Sequence, residues 1–364
     1  MLEIIKHWYR QRFTDPGAVS LFLSLLFGFV IVYFLGHILT PFFAAIVVAY
    51  LLDWPVTRLQ KIGLSRILAV VVVQLLFAVI LIVSLISIVP NFLIQVANLA
   101  RELPSMMGRT QELLLTLPER YPELVDVTLV QSMLDDIKSR LLGSTNAILG
   151  VSLNSLTNAA VLMVYFILVS VLVFFMLKDK HQLLESGTRF LPRNRELVSR
   201  VWREMNVQIA NYVRGKVIEI LIVGGVSYFT FMFLDLRYPL LLSVLVGFSV
   251  LIPYIGAAAA TVPIALVGIF QWGFTAPFFY LMIAYAIIQA LDGNVLVPIL
   301  FSEAVNLHPI AIIVAVLMFG GLWGFWGVFF AIPLATLVKA VVNAWPKEDE
   351  RQVLSTPPNQ QDKA

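Results

Sequence analysis

The sequence predicts an all-α polytopic membrane protein with about eight membrane-inserted helical segments, two of them hairpins broken by glycine and proline. Composition and run length predict this class. Hydrophobic residues make up 60% and charged residues 13% of the 364 residues, which is more apolar surface than a soluble domain can bury. Mean hydropathy is +0.90, and the apolar residues gather in runs near the roughly 20 residues that one membrane-spanning helix needs.

Residues 1–90 are predicted to form the N-terminal transmembrane helices, preceded by a cytoplasmic N-terminus. The first 17 residues are polar and basic, and lysine and arginine collect on the cytoplasmic side of membrane proteins. The apolar run at 19–40 is too long for the core of a cleavable signal peptide, so we interpret it as the first anchor. Two further apolar runs return the chain and cross again before residue 90.

Residues 91–153 differ from the rest of the chain. Three prolines interrupt this region, and it has seven acidic residues against five basic ones. Apolar residues recur in it at helical spacing. We therefore expect an extracytoplasmic region of short amphipathic helices that lie on the outer membrane surface or against a neighbouring subunit.

The remaining boundaries follow from hydropathy and charge. Residues 154–177 are predicted as one transmembrane helix, and 178–216 as a cytoplasmic helical loop with nine basic residues against four acidic ones. Residues 217–346 form the C-terminal transmembrane core with both hairpins, and 347–364 a cytoplasmic tail that we expect to be disordered. Both termini are then cytoplasmic.

Two long apolar segments, at 240–270 and 309–345, are each interrupted by glycine and proline. Their lengths fall between the roughly 20 residues of one span and the roughly 40 of two, so a helical hairpin fits each. Paired interruptions of this kind indicate the binding region of a transporter, although close helix packing alone also explains glycines spaced as at 320 and 324. The tip and hinge candidates are Pro253, Gly256, Gly320, Gly321, Gly324, Gly327 and Pro333.

Asp292 is the main candidate for ion or solute chemistry. An ionisable group in apolar sequence costs roughly 3 kcal/mol to insert into a membrane, so it is a functional hypothesis by default. The carboxylate could bind a cation or exchange a proton. Alternatively, Gly293 ends the preceding helix and leaves Asp292 in water at the inner membrane surface.

Four further polar residues are candidates for transport or binding. Gln289 and Asn294 could contact a polar solute or freed backbone, or they could hydrogen-bond between helices. His308 precedes Pro309 and has Asn306 nearby, which suits a proton relay or a solute contact at a helix N-terminus. The alternative is that His308 caps a helix at the inner surface. By contrast, we interpret Glu219 and Lys216 as a pair of charged residues at the start of a span, whose side chains extend towards the membrane–water interface.

Several function classes are excluded by what the sequence lacks. It contains no cysteine, no zinc-protease motif, no nucleophile-elbow motif and no phosphate-binding loop. The four histidines are too scattered for a metal site. We predict no enzymatic activity, no metal and no cofactor. Basic residues flank apolar runs, so topology accounts for them without a nucleic-acid partner.

Four motifs together resemble the AI-2E transporter family, also called UPF0118. They are NYVRGK at 211–216, VLIPYIG at 250–256, LHP at 307–309 and the glycine-rich run at 319–334. The resemblance covers nearly the whole chain. It implies a multi-pass permease of the bacterial inner membrane. Members of the family are linked to export of autoinducer-2 and, in some branches, to sodium/proton antiport.

We therefore expect a permease that moves a small polar solute, similar to autoinducer-2 by resemblance, either passively or coupled to an ion gradient. One alternative is a sodium/proton antiporter in which Asp292 exchanges the ion. An alternative of another class is a non-transporting membrane scaffold or regulator. The expected partners are the solute, Na⁺ or H⁺, membrane lipid and further copies of the chain.

Overall fold

The computed structural model describes residues 16–36, 38–120, 155–188, 196–301 and 307–344. Every regular element within these ranges is helical, which confirms the predicted all-α class. Seven of the described helices are long and apolar enough to cross a membrane, and three shorter apolar helices accompany them. Most of the predicted cytoplasmic N-terminus (residues 1–15), much of the predicted extracytoplasmic region and the tail lie outside the described residues.

The helices of the described residues are numbered in chain order. In chain order they are α1 (Pro16–Leu35), α2 (Thr40–Lys61), α3 (Arg66–Arg120), α4 (Ser155–Lys178), α5 (Lys180–Thr188), α6 (Glu196–Phe233), α7 (Pro239–Ser249), α8 (Ile255–Trp272), α9 (Ala276–Leu291), a π-helical turn (Asp292–Leu296), α10 (Val297–Phe301), α11 (Pro309–Phe329) and α12 (Ala331–Ala344). The predicted domain boundaries stay predictions.

Helix α3 differs from the short helices expected after residue 90. It is one helix of 55 residues, and it passes through Pro90, Pro104 and Pro118 without ending. At about 1.5 Å per residue it is roughly 80 Å long, more than twice the thickness of a hydrocarbon core. Proline removes one backbone donor from a helix but does not oblige the chain to stop there.

The chain folds as two compact units. The first comprises Met1–Val70, Leu172–Lys216 and Ile299–Ala364, and the second comprises Val71–Val171 and Val217–Pro298. Helices α3, α4, α6 and α10 each contribute to both units.

Polar contacts hold the helix ends of the first unit. The Nζ of Lys180 lies 2.9 Å from the carboxylate of Asp53. Arg66 Nε donates to the carbonyl oxygen of Leu177 at 2.8 Å, which satisfies an acceptor left over at the end of α4. The Tyr50 hydroxyl donates to Asn206 Oδ1 at 2.9 Å. These contacts join α2 to α5, α3 to α4, and α2 to α6.

The core of the second unit is built from α6, α7, α8 and α9. Phe231, Val246, Ile264 and Leu281 are each fully buried in it. Because a lipid-facing surface needs no such burial, these residues identify the protein-facing sides of their helices.

The connection that leads into α7 is fixed to α3 within the same unit. The carboxylate of Glu102 lies 3.2 Å from Arg237 and also accepts a hydrogen bond from Tyr238. Nearby, the side-chain oxygen of Gln95 accepts from the backbone N–H of Leu241 at 2.9 Å. Tyr238 has a φ of 59°, in the left-handed region, so the backbone of this loop is strained. The contacts with Glu102 and Gln95 hold it in this conformation.

Both predicted hairpins are present. In the first, α7 packs against α8 across a break at residues 250–254, and in the second α11 packs against α12. Helix α7 has 11 residues and would extend only about 16 Å, which is too short to cross a membrane alone. The continuous helix of α11 is shorter than its bounds indicate, because Gly324 interrupts it.

Candidate functional site

Asp292 lies inside a longer helical segment and does not follow its end. Helix α9, the π-helical turn and α10 are continuous, and the span Ala276–Phe301 is long and apolar enough to cross a membrane. The N–H of Val297 bonds to the carbonyl of Asp292, which is the spacing of a π-turn. The alternative for Asp292 is therefore wrong in one respect, because Gly293 does not end the helix. The position of Asp292 relative to the inner membrane surface stays a prediction. Single π-turns inside α-helices occur frequently at functional sites.

The polar neighbours of Asp292 along the chain have different surroundings. Asp292 Oδ1 has essentially no accessible surface. Gln289 Nε2 is buried and lacks a hydrogen-bond acceptor among the described residues. The side-chain amide of Asn294 donates to the carbonyl of Ala290 at 2.8 Å, so it satisfies the backbone of its own helix. Of these two amides, Gln289 is therefore the one whose N–H groups are available to donate a hydrogen bond.

His308 is the N-cap of α11. Its Nδ1 accepts a hydrogen bond from the backbone N–H of Ile310 at 3.3 Å, and Pro309 occupies the first helical position. This geometry matches the capping alternative and uses one ring nitrogen for it. Asn306, its predicted companion, lies outside the described residues.

The hairpin candidates divide into those that need glycine and those that do not. A Cβ at Gly256 would overlap the carbonyl of Ser249, and one at Gly327 would overlap the carbonyl of Phe319. Gly324 has φ 58° and ψ −132°, a conformation that other residues rarely adopt.

The other candidates are less constrained. A Cβ at Gly320 would lie 2.8 Å from the Cγ2 of Val328 and meet no backbone atom, and one at Gly321 would meet nothing within 4 Å. Pro253 lies at the tip of the first hairpin, where its carbonyl accepts from the N–H of Ile255 at 2.7 Å. Pro333 lies inside α12.

Lys216 and Glu219, predicted to be an interface pair, are instead buried. Lys216 is 4% exposed and Glu219 is 2% exposed, so neither extends to the protein surface as an interface pair would. Glu219 is midway between Met205 and Phe233, the ends of a candidate membrane span. The Nζ of Lys216 lies 5.2 Å from the centre of the Phe301 ring. The interface prediction was wrong because hydropathy placed the start of this span at residue 217, whereas the candidate span begins at Met205.

No group of three or more histidine, aspartate or glutamate residues in the described part of the chain could hold a metal ion.

Interrupted helices in a multi-pass all-α membrane protein are typical of secondary transport proteins. Comparison with known families agrees. The model of the AI-2E family transporters matches residues 22–347, and the chain belongs to this family.

Named relatives are similar along most of their length. The chain is 51% identical over 346 residues to "Putative permease PerM" of Escherichia coli K12, covering 95% of this chain and 98% of that protein. It is 27% identical over 334 residues to "Putative transport protein YueF" of Bacillus subtilis, covering 88% of each. It is 22% identical over 307 residues to "AI-2 transport protein TqsA" of E. coli K12, covering 84% and 86%. These names describe transporters or permeases and no enzyme.

Proposed function

We propose that this protein is a permease that moves a small polar solute, similar to autoinducer-2, across the bacterial inner membrane. The observation on which the proposal depends is the π-turn at Asp292 inside the span Ala276–Phe301. A carboxylate in an apolar helix is expensive to keep, and a helix that changes its hydrogen-bond register there points to function.

The chemistry of this turn suits a hydroxylated solute. The carboxylate of Asp292 accepts hydrogen bonds, and the buried amide of Gln289 has a donor to offer. A solute rich in hydroxyl and carbonyl groups would hydrogen-bond to both. The name of TqsA associates autoinducer-2 with one relative, which supports this solute class as the first to test.

The two hairpins provide the elements that would move. Each has a break in the helix at its tip, at residues 250–254 in one and at Gly324 in the other. Breaks of this kind act as hinges, because a few residues absorb a large change in φ and ψ. The sequence has no phosphate-binding loop, so transport is passive or driven by an ion gradient. We further propose that the chain assembles as a homo-oligomer and that both termini are cytoplasmic.

A sodium/proton antiporter is the second candidate, and the same carboxylate favours it. Asp292 would bind the cation and the proton alternately, as an intramembrane carboxylate can. This candidate predicts ion movement without any organic solute.

One experiment tests both candidates. Purified protein is reconstituted in liposomes that contain a pH-sensitive dye, and uptake of labelled autoinducer-2 is measured in parallel with internal pH after a sodium gradient is imposed. We expect Asp292→Asn to reduce uptake at least tenfold. Asp235→Asn is the matched control, because Asp235 lies in the loop before α7 at a φ of 56° that asparagine tolerates.

The outcomes separate the candidates. Loss of solute uptake in Asp292→Asn supports the permease, and loss of sodium-dependent pH change supports the antiporter. Wild-type rates of both in Asp292→Asn would refute a role for this carboxylate. A scaffold would show neither activity in the wild type and would lose its partner when residues 106–153 are removed.

A further inference from the structure

The two hairpins close in the same way. In the first, Gly256 lies against the carbonyl of Ser249, seven residues earlier, and in the second Gly327 lies against the carbonyl of Phe319, eight residues earlier. At both places the contact leaves no room for a side chain. The short sequence similarity after these glycines, VPIALV at 262–267 and IPLATLV at 332–338, therefore accompanies a shared backbone arrangement.

A tyrosine hydroxyl donates to the backbone just after each closing glycine. The hydroxyl of Tyr285 on α9 donates to the carbonyl of Ala257 at 3.0 Å. The hydroxyl of Tyr212 on α6 donates to the carbonyl of Phe329 at 2.8 Å. The acceptor is one residue after Gly256 in the first hairpin and two residues after Gly327 in the second. In each case the donor comes from a helix outside the hairpin.

In the second hairpin, Tyr212 bonds to a carbonyl that has no helical donor. Phe329 is four residues before Pro333, and proline has no N–H to complete the helical hydrogen bond to that carbonyl. The hydroxyl of Tyr212 replaces the missing donor. In the first hairpin the carbonyl of Ala257 also accepts from the hydroxyl of Thr261 at 2.8 Å, so two side chains hold it.

Burial shows that both hydroxyls act away from water. Tyr212 is 2% exposed and Tyr285 is 3% exposed. A phenylalanine at either position would fill nearly the same volume, so the hydroxyl group adds only the hydrogen bond. Water is scarce around buried residues in a membrane protein, so the carbonyl of Phe329 has few other donors, whereas that of Ala257 keeps the hydroxyl of Thr261.

We propose that Tyr212 and Tyr285 are equivalent positioning residues, each of which holds the bend of one hairpin closed by binding its backbone carbonyl. The pair defines an internal repeat, in which glycine closes the bend and tyrosine fixes it. The proposal rests on the proposed function, in which the two hairpins move, because it says which hydrogen bond each hairpin must break to open at its bend. It can nevertheless be tested without any solute.

The test uses the natural absence of cysteine. Single cysteines replace Ser249 in the first hairpin and Val328 in the second, at partly buried positions beside the two closures. A small water-soluble thiol reagent is then applied to the full-length protein in liposomes, and the labelling rate is measured. We expect Tyr285→Phe to increase labelling at position 249 about fivefold, and Tyr212→Phe to do the same at position 328, with the other position unchanged.

Control variants exclude a general loosening. Tyr280→Phe and Tyr33→Phe remove the hydroxyl from exposed tyrosines of α9 and α1, and should change neither rate. An equal increase in labelling rate at positions 249 and 328 in either Tyr212→Phe or Tyr285→Phe would overturn the proposal. An unchanged labelling rate at both positions would overturn it as well. The labelling assay needs no solute, so the two proposals can fail separately. If the transport assay fails but each tyrosine variant still increases labelling only in its own hairpin, the solute or the role of Asp292 is rejected and the positioning role of the tyrosines is supported.

Discussion

Gly224 of α6 and Gly247 of α7 bring their two helices into backbone contact. A Cβ at Gly247 would lie 3.0 Å from the carbonyl oxygen of Ile220 and 3.2 Å from the Cα of Gly224. Small residues at such crossings let membrane helices gain dispersion energy that larger side chains would prevent. This crossing holds the first limb of the first hairpin against α6.

Gly247→Ala should therefore destabilise the protein by about 1–3 kcal/mol, because neither backbone atom can move aside easily. Gly225→Ala is the matched control, since a Cβ there meets nothing within 4 Å and alanine is the better helix former by about 1 kcal/mol. Thermal unfolding in detergent measures both. An equal loss of stability in the two variants would contradict the crossing.

The closing glycines of the hairpins should tolerate substitution least. Gly256→Ala and Gly327→Ala force a Cβ into a backbone carbonyl, and each should cost about 3 kcal/mol or more. Gly321→Ala belongs to the same run but has open space, so its effect should stay within about 1 kcal/mol. Yield of folded protein and its thermal midpoint report the difference. Normal stability of Gly327→Ala would show that the second hairpin is not closed as described.

Alkaline pH should weaken the loop before α7. Burial, followed by the hydrogen bond and the charge of Glu102, raises the pKa of Tyr238 from 10.0 to about 12. The folded state therefore holds this proton more tightly than the unfolded state. The resulting stability is complete below about pH 10 and is lost as the pH rises towards about 12.

Tyr238→Phe provides the comparison, because it keeps the ring and removes the titrating group. The unfolding midpoint of the wild type should fall more steeply than that of Tyr238→Phe between about pH 10 and about pH 12. Lysine titration affects both proteins equally and cancels in the difference. Parallel pH profiles would refute a stabilising protonated Tyr238.

The buried carboxylate of Glu219 should be intolerant of truncation. It is 2% exposed and lies midway along a candidate membrane span. Glu219→Ala removes both the volume and the hydrogen-bonding capacity of the carboxyl group, and we expect a loss of about 3 kcal/mol, whereas Glu219→Gln should lose less because the shape is kept. Glu185→Gln, at an exposed residue of α5, is the control. Thermal unfolding of the three variants is the measurement, and an unaffected Glu219→Ala would mean that the site is not packed.

Hydropathy and breaker residues predicted the helices and the two hairpins, because apolar run length and glycine or proline interruptions are local signals. They did not predict that α3 continues through Pro90, since whether proline ends a helix depends on what else can satisfy the freed carbonyl. Gly293 was misleading for the same reason, because the chain passes it as a π-turn.

The candidate site was predictable only in part. Asp292 was conspicuous as a charge amid apolar residues, and His308 as a residue before proline. The tyrosine donors were not, because a hydrogen bond between Tyr212 and Phe329 joins residues that are 117 positions apart. The spacing of Pro333 to Phe329 does indicate a carbonyl without its donor, and that signal was available in the sequence.

The attachment of α3 to the first hairpin makes the long helix a lever. Gln95 and Glu102 bind the entry to α7, while the same helix continues without a break to Arg120. A stiff rod transmits torque, so an antibody or protein that tilts the end of α3 near Arg120 would pull on the first hairpin. A force applied there would then reach the bend of the hairpin without any ligand bound to it.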